Sequence, residues 1–279
     1  MPTSEELLQS AERVHAPPVR HWDGTSWLRW VREMRQIEFD EAMAHVPLDR
    51  RSRVLELGCG DGFQFGLLRQ RFEKVFAIDP NRRPRGAEGY VVAAAEALPF
   101  PDGYFDLVCS NCVLEHVEDR PRSIEEAVRV LRPGGYMAHV VPTRYWKATN
   151  LLLNPVGYPF RVMEKWLDIR RVRKERRPPE NPLLDVERWE QPSLFEVLGR
   201  WVYPPIHGTY PSHPAEYRSY GRKHWVRLFA HPKLSPVAEV RLPCVTQFGF
   251  LRFRLLPLRR WLGRQGFDGS QAFVLRKVE

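Results

Sequence analysis

Three glycines at positions 58, 60 and 62 follow the apolar run Val54-Leu55-Glu56-Leu57, and one carboxylate, Asp79, closes a second apolar run 21 residues after Gly58. Glycine takes positive φ and lets the backbone come close to a ligand, and a strand ending in such a turn before a helix aims N–H groups at whatever binds there. A carboxylate at the end of the next strand can accept hydrogen bonds from both hydroxyls of a ribose, as nucleoside-binding sheets do at this position. Two rival motifs fit less well. A dinucleotide fingerprint needs its third glycine at 63, where the chain has Phe63, and a P-loop needs Gly-Lys followed by Ser or Thr, which is missing. Taken alone, the glycines could form an ordinary strand-to-helix turn. Their coupling to Asp79 points to a nucleoside ligand.

A sheet must hold these residues. Short apolar runs at Arg53–Leu57, Val75–Ile78, Tyr90–Ala93, Phe105–Cys109 and Tyr136–Val141 alternate with helix-like segments, including Gln64–Phe72 and Pro121–Leu131. Buried strands joined by helical crossovers predict a doubly wound, mostly parallel α/β sheet. Upstream, Thr3 or Ser4 could cap a first helix. A second is predicted over Ser26–Val46, with Trp27, Trp30, Val31, Met34, Ile37 and Glu41 near a 3.6-residue period. Beyond Pro142 the alternation stops, and 143–212 reads as an insertion rich in Pro, Arg and Trp. A helix at Ala215–Phe229, a strand at Val237–Leu242, an apolar-basic helical stretch at Phe250–Leu262 and a strand at Gln271–Val278 follow, which makes seven strands. The predicted organisation is a helical cap (1–50), a ligand-binding core (51–142), an acceptor-pocket insertion or lid after the fifth strand (143–212) and a C-terminal completion of the sheet (213–279).

The segments VLELGCGDG, FAIDP, AEALPFPDGYFDLVCSNCVLEHVED and AVRVLRPGGYMAHVVP, in this order across 53–142, resemble successive motifs of the class I methyltransferases that use S-adenosylmethionine (SAM), in the subgroup that includes the ubiquinone and menaquinone methyltransferases. The resemblance implies that Glu56, Gly58 and Gly60 line the methionine end of SAM, with Cys59 in the same turn. It also implies that Asp79, followed by Pro80, holds the ribose, that Ala95 and Glu96 lie beside the adenine, and that Asn111 lies near the amino-acid moiety. Family members commonly carry Asp just before the Ala-Glu pair; this chain has Ala94, so adenine must be met by backbone or another side chain. Asp106 reads as structural, bonding to backbone near the glycine loop.

A sulfonium already activates its methyl group, so alignment of the acceptor and exclusion of water are the main tasks. A hydroxyl acceptor also needs a base within about 2.6–3.2 Å of its proton. His213 leads, with His207 beside it in IHGTYPSHPAEY, on a loop expected to return above the methyl group; His116, in VLEHVED, follows the fourth strand. For His116 a hydrogen-bonded structural role is an equal alternative. His45, His139, His224 and His231 read as structural. No metal site is expected, because Cys109 and Cys112 form a single C-x-x-C without a second ligand pair.

The chain of 279 residues is 43% hydrophobic and 28% charged, which excludes wholesale disorder and a disulfide-held mini-protein. No run reaches the roughly 20 apolar residues of a membrane span, and the acidic, helical start predicts a cytoplasmic protein. Charge is uneven: 1–142 carry net −4 and 143–279 carry net +13. In the insertion, Trp146, Leu151, Leu152, Leu153, Tyr158, Phe160, Met163 and Trp166 precede a basic run at 170–177. The stretch 250–264 repeats the combination with Phe253, Leu255, Leu256 and Trp261. Apolar-aromatic residues beside clustered cations suit peripheral contact with the inner membrane surface through 143–177 and 250–264; a lid packed by its apolar face is the plain alternative. The predicted function is methylation, at oxygen, of a small-molecule or lipid- or glycan-linked acceptor. An RNA or DNA methyltransferase is an alternative that the basic half permits, although Ser110-Asn111-Cys112-Val113 lacks the Asn/Asp-Pro-Pro-aromatic pattern of exocyclic-amine enzymes. A non-enzymatic scaffold is a third reading, supported only by Ala94.

Overall fold

The computed structural model describes residues 26–60, 62–81, 89–175, 194–243 and 255–279. Helix α1 (Ser26–Met43) leads into β1 (Arg53–Leu57), α2 (Phe63–Arg71), β2 (Lys74–Asp79), β3 (Tyr90–Val92) and β4 (Phe105–Asn111). After a 3-10 turn at Leu114–His116 come α3 (Arg120–Val130) and β5 (Leu131–Pro142). The remainder is α4 (Arg144–Glu175), α5 (Leu194–Val202), α6 (His213–Ser219), α7 (Arg222–Leu228), β6 (Leu234–Arg241), α8 (Leu256–Arg264) and β7 (Ser270–Lys277). The strands form one sheet in the order β3-β2-β1-β4-β5-β7-β6. The first five are parallel, and β7 runs antiparallel to both β5 and β6. The doubly wound seven-stranded sheet is therefore as the sequence predicts.

Alternation of side chains along each strand divides the core in two. Leu55, Leu57, Phe76, Ile78, Phe105 and Val108 pack on one face with Ile124 and Val128 of α3 and Trp225 of α7. Val54, Val75, Ala77, Leu107 and Cys109 pack on the other with Phe39, Ala42 and Met43 of α1 and Leu67 and Leu68 of α2. Both faces are covered, so the strands read as continuous apolar runs rather than alternating ones. Glu56, Asp79 and Asn111 share the strand parity of the second face, and the parallel register lines up the ends of their strands.

Several elements differ from expectation. The helix predicted over Ala215–Phe229 is two helices, broken at Tyr220–Gly221, where Arg144 donates to the carbonyls of Tyr217 and Arg218 at 3.1 Å each and satisfies the last turn of α6. The insertion is mainly the long helix α4, which runs through Pro155 and Pro159. Pro159 has no N–H to offer the Pro155 carbonyl; the Trp201 indole N–H takes its place at 2.5 Å. β5 begins five residues before the predicted Tyr136, and its pairing with β4 jumps from Phe105↔Leu131 to Leu107↔Tyr136, so the Arg-Pro-Gly-Gly stretch bulges out of the ladder. Asp106 does not reach the glycine loop. It binds the Arg53 N–H at 2.7 Å and the Arg132 guanidinium at the opposite ends of the strands. In α1 the buried set is Trp30, Met34, Glu38, Phe39, Ala42 and Met43, with Val31, Ile37 and Glu41 half-buried. Thr3, Ser4, Cys244, 176–193 and 250–254 lie outside the described residues, as does the side chain of Trp27.

Candidate functional site

The ends of β1, β2 and β4 converge because register sets Leu57 beside both Ile78 and Ser110. The N–H groups of Gly58 and Cys59 both donate to the Ile78 carbonyl, at 2.8 and 3.1 Å, and the Gly60 N–H donates to Asp79 Oδ2 at 3.0 Å. Gly58 has φ +68, and a Cβ there would lie 2.6 Å from Val113 Cγ2. Gly60, at φ +52, has open space where its Cβ would stand, so a ligand can approach this backbone. Asp79 is buried and also accepts from the Asn81 N–H at 2.9 Å and Asn81 Nδ2 at 3.2 Å. A carboxylate offers about four acceptor positions. Three are taken by donors among the described residues; beside these one is left for a ligand hydroxyl, and a second opens if the Asn81 side chain turns away. The rim of the turn is thus a glycine backbone cradle with a fixed carboxylate, and its residues fit a nucleoside-type cofactor.

The remaining predicted contacts vary. Glu56 is buried on β1, Cys59 is buried in the α1/α2 core, and Pro80 is exposed. Ala95 is buried in the turn after β3, while the Glu96 carboxylate accepts the N–H groups of Glu118 at 3.2 Å and Asp119 at 3.4 Å, tying that turn to the segment after β4. Asn111 receives a hydrogen bond from Arg35 and donates to Glu38 Oε2 at 3.3 Å. Arg35 also reaches Glu38 at 2.7 Å and Cys112 Sγ at 3.0 Å, and Ser270 Oγ donates to Glu38 Oε1 at 2.5 Å. Burial pushes the Cys112 thiol up despite the nearby guanidinium. Sequence reasoning missed Arg35 and Glu38. The only signal was an i, i+3 charge pair in which Glu38 interrupts the apolar side of α1 between Met34 and Ala42.

A second cluster adjoins the first through Val113, which abuts Gly58 and whose carbonyl accepts the His116 N–H at 2.8 Å. The Glu115 side chain is wholly buried, and neither of its carboxylate oxygens has a hydrogen-bond donor among the described residues. Gly208, at φ +90, would place a Cβ 2.3 Å from the Glu115 carbonyl. Only glycine lets this loop lie so close, and the Thr209 N–H then donates to the same carbonyl at 3.0 Å. The result sets His207 Nε2 3.6 Å from Glu115 Oε1, with the His207 ring 4.6 Å from that of His116 and 5.1 Å from that of Trp146. Arg120 lies 4.5 Å over the Tyr210 ring and donates to the Leu114 and Glu115 carbonyls. Burial raises the Tyr210 hydroxyl to about 12 and lowers His116 below its ordinary 6.5. One ligand atom from each of Glu115, His116 and His207 lies within 4.8 Å of the others, a set that could hold a divalent cation.

His213 stands apart from that group. It is buried at the start of α6, its Nδ1 3.5 Å from Glu216 Oε2, which takes Lys147 Nζ at 2.5 Å. The Tyr203 ring covers its edge at 4.6 Å. The structure therefore brings His207 and His116 together beside the glycine cradle and places His213 in an ion cluster of its own.

The chain is similar in sequence and in fold to known proteins. The family model described as "Methyltransferase domain" matches residues 55–139. Malonyl-(acyl-carrier protein) O-methyltransferase of Enterobacter lignolyticus (strain SCF1) is 35% identical over 113 residues, 38% of this chain and 45% of that protein. A tRNA (carboxymethyluridine(34)-5-O)-methyltransferase of Arabidopsis thaliana is 27% identical over 191 residues, 66% of this chain and 45% of that one. The chain thus spans about half the length of the curated relatives it matches. A crystal structure of an S-adenosylmethionine-dependent methyltransferase from Mesorhizobium loti superposes with a TM-score of 0.51 at 17% identity, covering 86% of this chain and 98% of that one, and shares the fold. Residues 55–139, which hold the glycine turn, Asp79, Asn111, Glu115 and His116, are thus the part of the chain that is similar to methyltransferase domains. These relatives bear on the methyltransferase likeness and not on the ubiquinone and menaquinone subgroup expected from the sequence.

Proposed function

We propose that this protein is a SAM-dependent methyltransferase that acts at an oxygen of a small-molecule or lipid- or glycan-linked acceptor. The observation that carries the reading is the Gly60 N–H bound to Asp79 at the joined ends of β1 and β2, inside the segment that matches a methyltransferase domain. SAM held there would supply a methyl group already activated by its sulfonium. Gly58 and Gly60 would face the methionine end, Asp79 the ribose, and Asn111, fixed by Arg35 and Glu38, the amino-acid moiety. His207 is the base of this reading: with Nε2–H turned to Glu115, Nδ1 would take the proton of an acceptor hydroxyl. Trp146, Tyr210 and Tyr220, which pack in or against the apolar core next to His207, would help keep water from it. Peripheral contact with an anionic membrane through 143–177 and 250–264 belongs to the same reading.

Calorimetry tests the cofactor site. Wild type binds SAM, Gly58→Val abolishes binding, and Asp79→Ala weakens it by about 1.5–3 kcal/mol, the range for hydrogen bonds to a charged group. Because the side chain introduced by Gly58→Val would collide with Val113, folding of that variant is checked by circular dichroism, and Asp79→Ala carries the test if it fails. Wild type that ignores SAM, or Asp79→Ala that binds like wild type, overturns the assignment. A second reading, an RNA acceptor, has the basic half and the similarity to the tRNA enzyme in its favour. Labelled SAM offered with lipid, glycan and RNA fractions separates the two by which fraction takes the label.

A further inference from the structure

Helix α4 carries an apolar stripe that is exposed among the described residues. Leu152, Val156, Met163 and Trp166 are all exposed, from 77% at Leu152 to 39% at Trp166. At about 100° per residue, their spacings of four, seven and three hold them within an arc of roughly 80°, along about 21 Å of helix. Single exposed apolar residues are ordinary, but four on one face of one helix are not. Contacts from α5 and α6 reach α4 at other residues. Asn154 donates to the Arg200 and Trp201 carbonyls that end α5, and Lys147 pairs with Glu216 of α6.

We propose that α4 seats the protein on an anionic lipid surface, with this stripe inserted at the level of the headgroups. Charge selects that occupant. The helix has eight Lys and Arg against three Asp and Glu, in a chain of net charge +9. A second copy meeting the stripe would bring like charge against like charge, whereas an anionic bilayer neutralises it. Arg170 falls on the line of the stripe, one turn past Trp166, with its guanidinium 3.7 Å over that ring. A cation stacked on an interfacial tryptophan at the end of an apolar face is what a helix lying in the headgroup layer needs. The surface deepens the reading above by naming where a lipid-linked acceptor is met, yet vesicle binding is measured without methyl transfer, so either idea can fail alone.

The test uses the full chain and two vesicle types, phosphatidylcholine alone and phosphatidylcholine mixed with phosphatidylglycerol. Wild type sediments with the mixed vesicles and stays largely in solution with the neutral ones. Leu152→Gln, Val156→Gln and Met163→Gln together lower the partition onto mixed vesicles by about tenfold or more, because each removes apolar area from the inserted face. Circular dichroism and SAM affinity are unchanged in that variant. Arg170→Gln weakens binding less, and mainly at low salt. Wild type that stays in the supernatant with mixed vesicles overturns the proposal. So does a triple variant that sediments like wild type, and so does a concentration-dependent dimer, seen in the ultracentrifuge, that the triple variant abolishes, since a second copy then covers the stripe.

Discussion

A buried carboxylate without a donor is destabilising unless something uses it, and among the described residues Glu115 is in that position, with His207 at 3.6 Å as its neighbour. If His207 is the base of the proposed reaction, His207→Ala should lower methyl transfer about a hundredfold or more while leaving SAM affinity intact, the usual scale for loss of a general base. Glu115→Gln keeps the shape and removes the carboxyl; it should lower kcat at least about tenfold with KM and the melting temperature little changed. A fall in SAM affinity or melting temperature that accounts for the lost rate would give Glu115 a structural role instead. The glycine turn and Asp79 were readable because strand, turn and carboxylate follow one another over a short stretch. The partnership of Arg35 with Asn111 spans 76 residues, and no local pattern records it. His207 lies beside His116 and Glu115 while His213 lies beside Glu216, and a loop sequence does not say which histidine turns which way; Gly208, which sets the loop, looks like any loop glycine.

At the scale of elements, alternation gave the strands and their crossovers, and boundaries were lost wherever a distant side chain ends an element. Arg144, at the foot of α4, stops α6; periodicity alone would carry the helix through to Phe229. The long α4 was hidden by its two prolines, since the Trp201 indole that compensates for Pro159 belongs to another helix. A comparable tertiary device fixes the loop between β3 and β4. Glu126 of α3 is buried; it accepts the Leu98 N–H at 2.9 Å and holds Arg129, which in turn binds the Leu98 and Phe100 carbonyls and Asp102. The hydrogen bonds from Arg129 come first in holding the Glu126 carboxyl below its ordinary range. Glu126→Ala should leave a buried N–H unpaired and Arg129 unanchored, with a loss of about 2–4 kcal/mol in urea unfolding. A change under about 0.5 kcal/mol would show that the loop is held by other means.

For the whole molecule, acid stability should depend on His139 at the centre of β5. It is wholly buried, pairs with Ser110 Oγ at 2.8 Å, and stacks 5.5 Å from Phe229. Burial lowers its pKa from 6.5 to about 4. Between those values the unfolded chain holds a proton that the folded one refuses, so stability is full above the unfolded pKa. It declines as pH falls towards the folded one, by about 3 kcal/mol in all. Urea midpoints of wild type should therefore drop between neutral and mildly acid buffer, and His139→Phe should flatten that drop. A wild-type midpoint that does not move would refute it. The charge asymmetry and the seven strands were visible in the sequence, but the placing of the seventh between the fifth and sixth was not, because antiparallel pairing leaves no mark on a strand buried on both faces. That placing has a temporal consequence. During translation the open edge of β5 has no partner until Ser270–Lys277 has left the ribosome, and β6 cannot join the sheet before β7 arrives. A chain truncated before residue 270 displays an apolar edge once released, so it should be held by chaperones and aggregate, whereas a chain that includes Ser270–Lys277 closes the sheet.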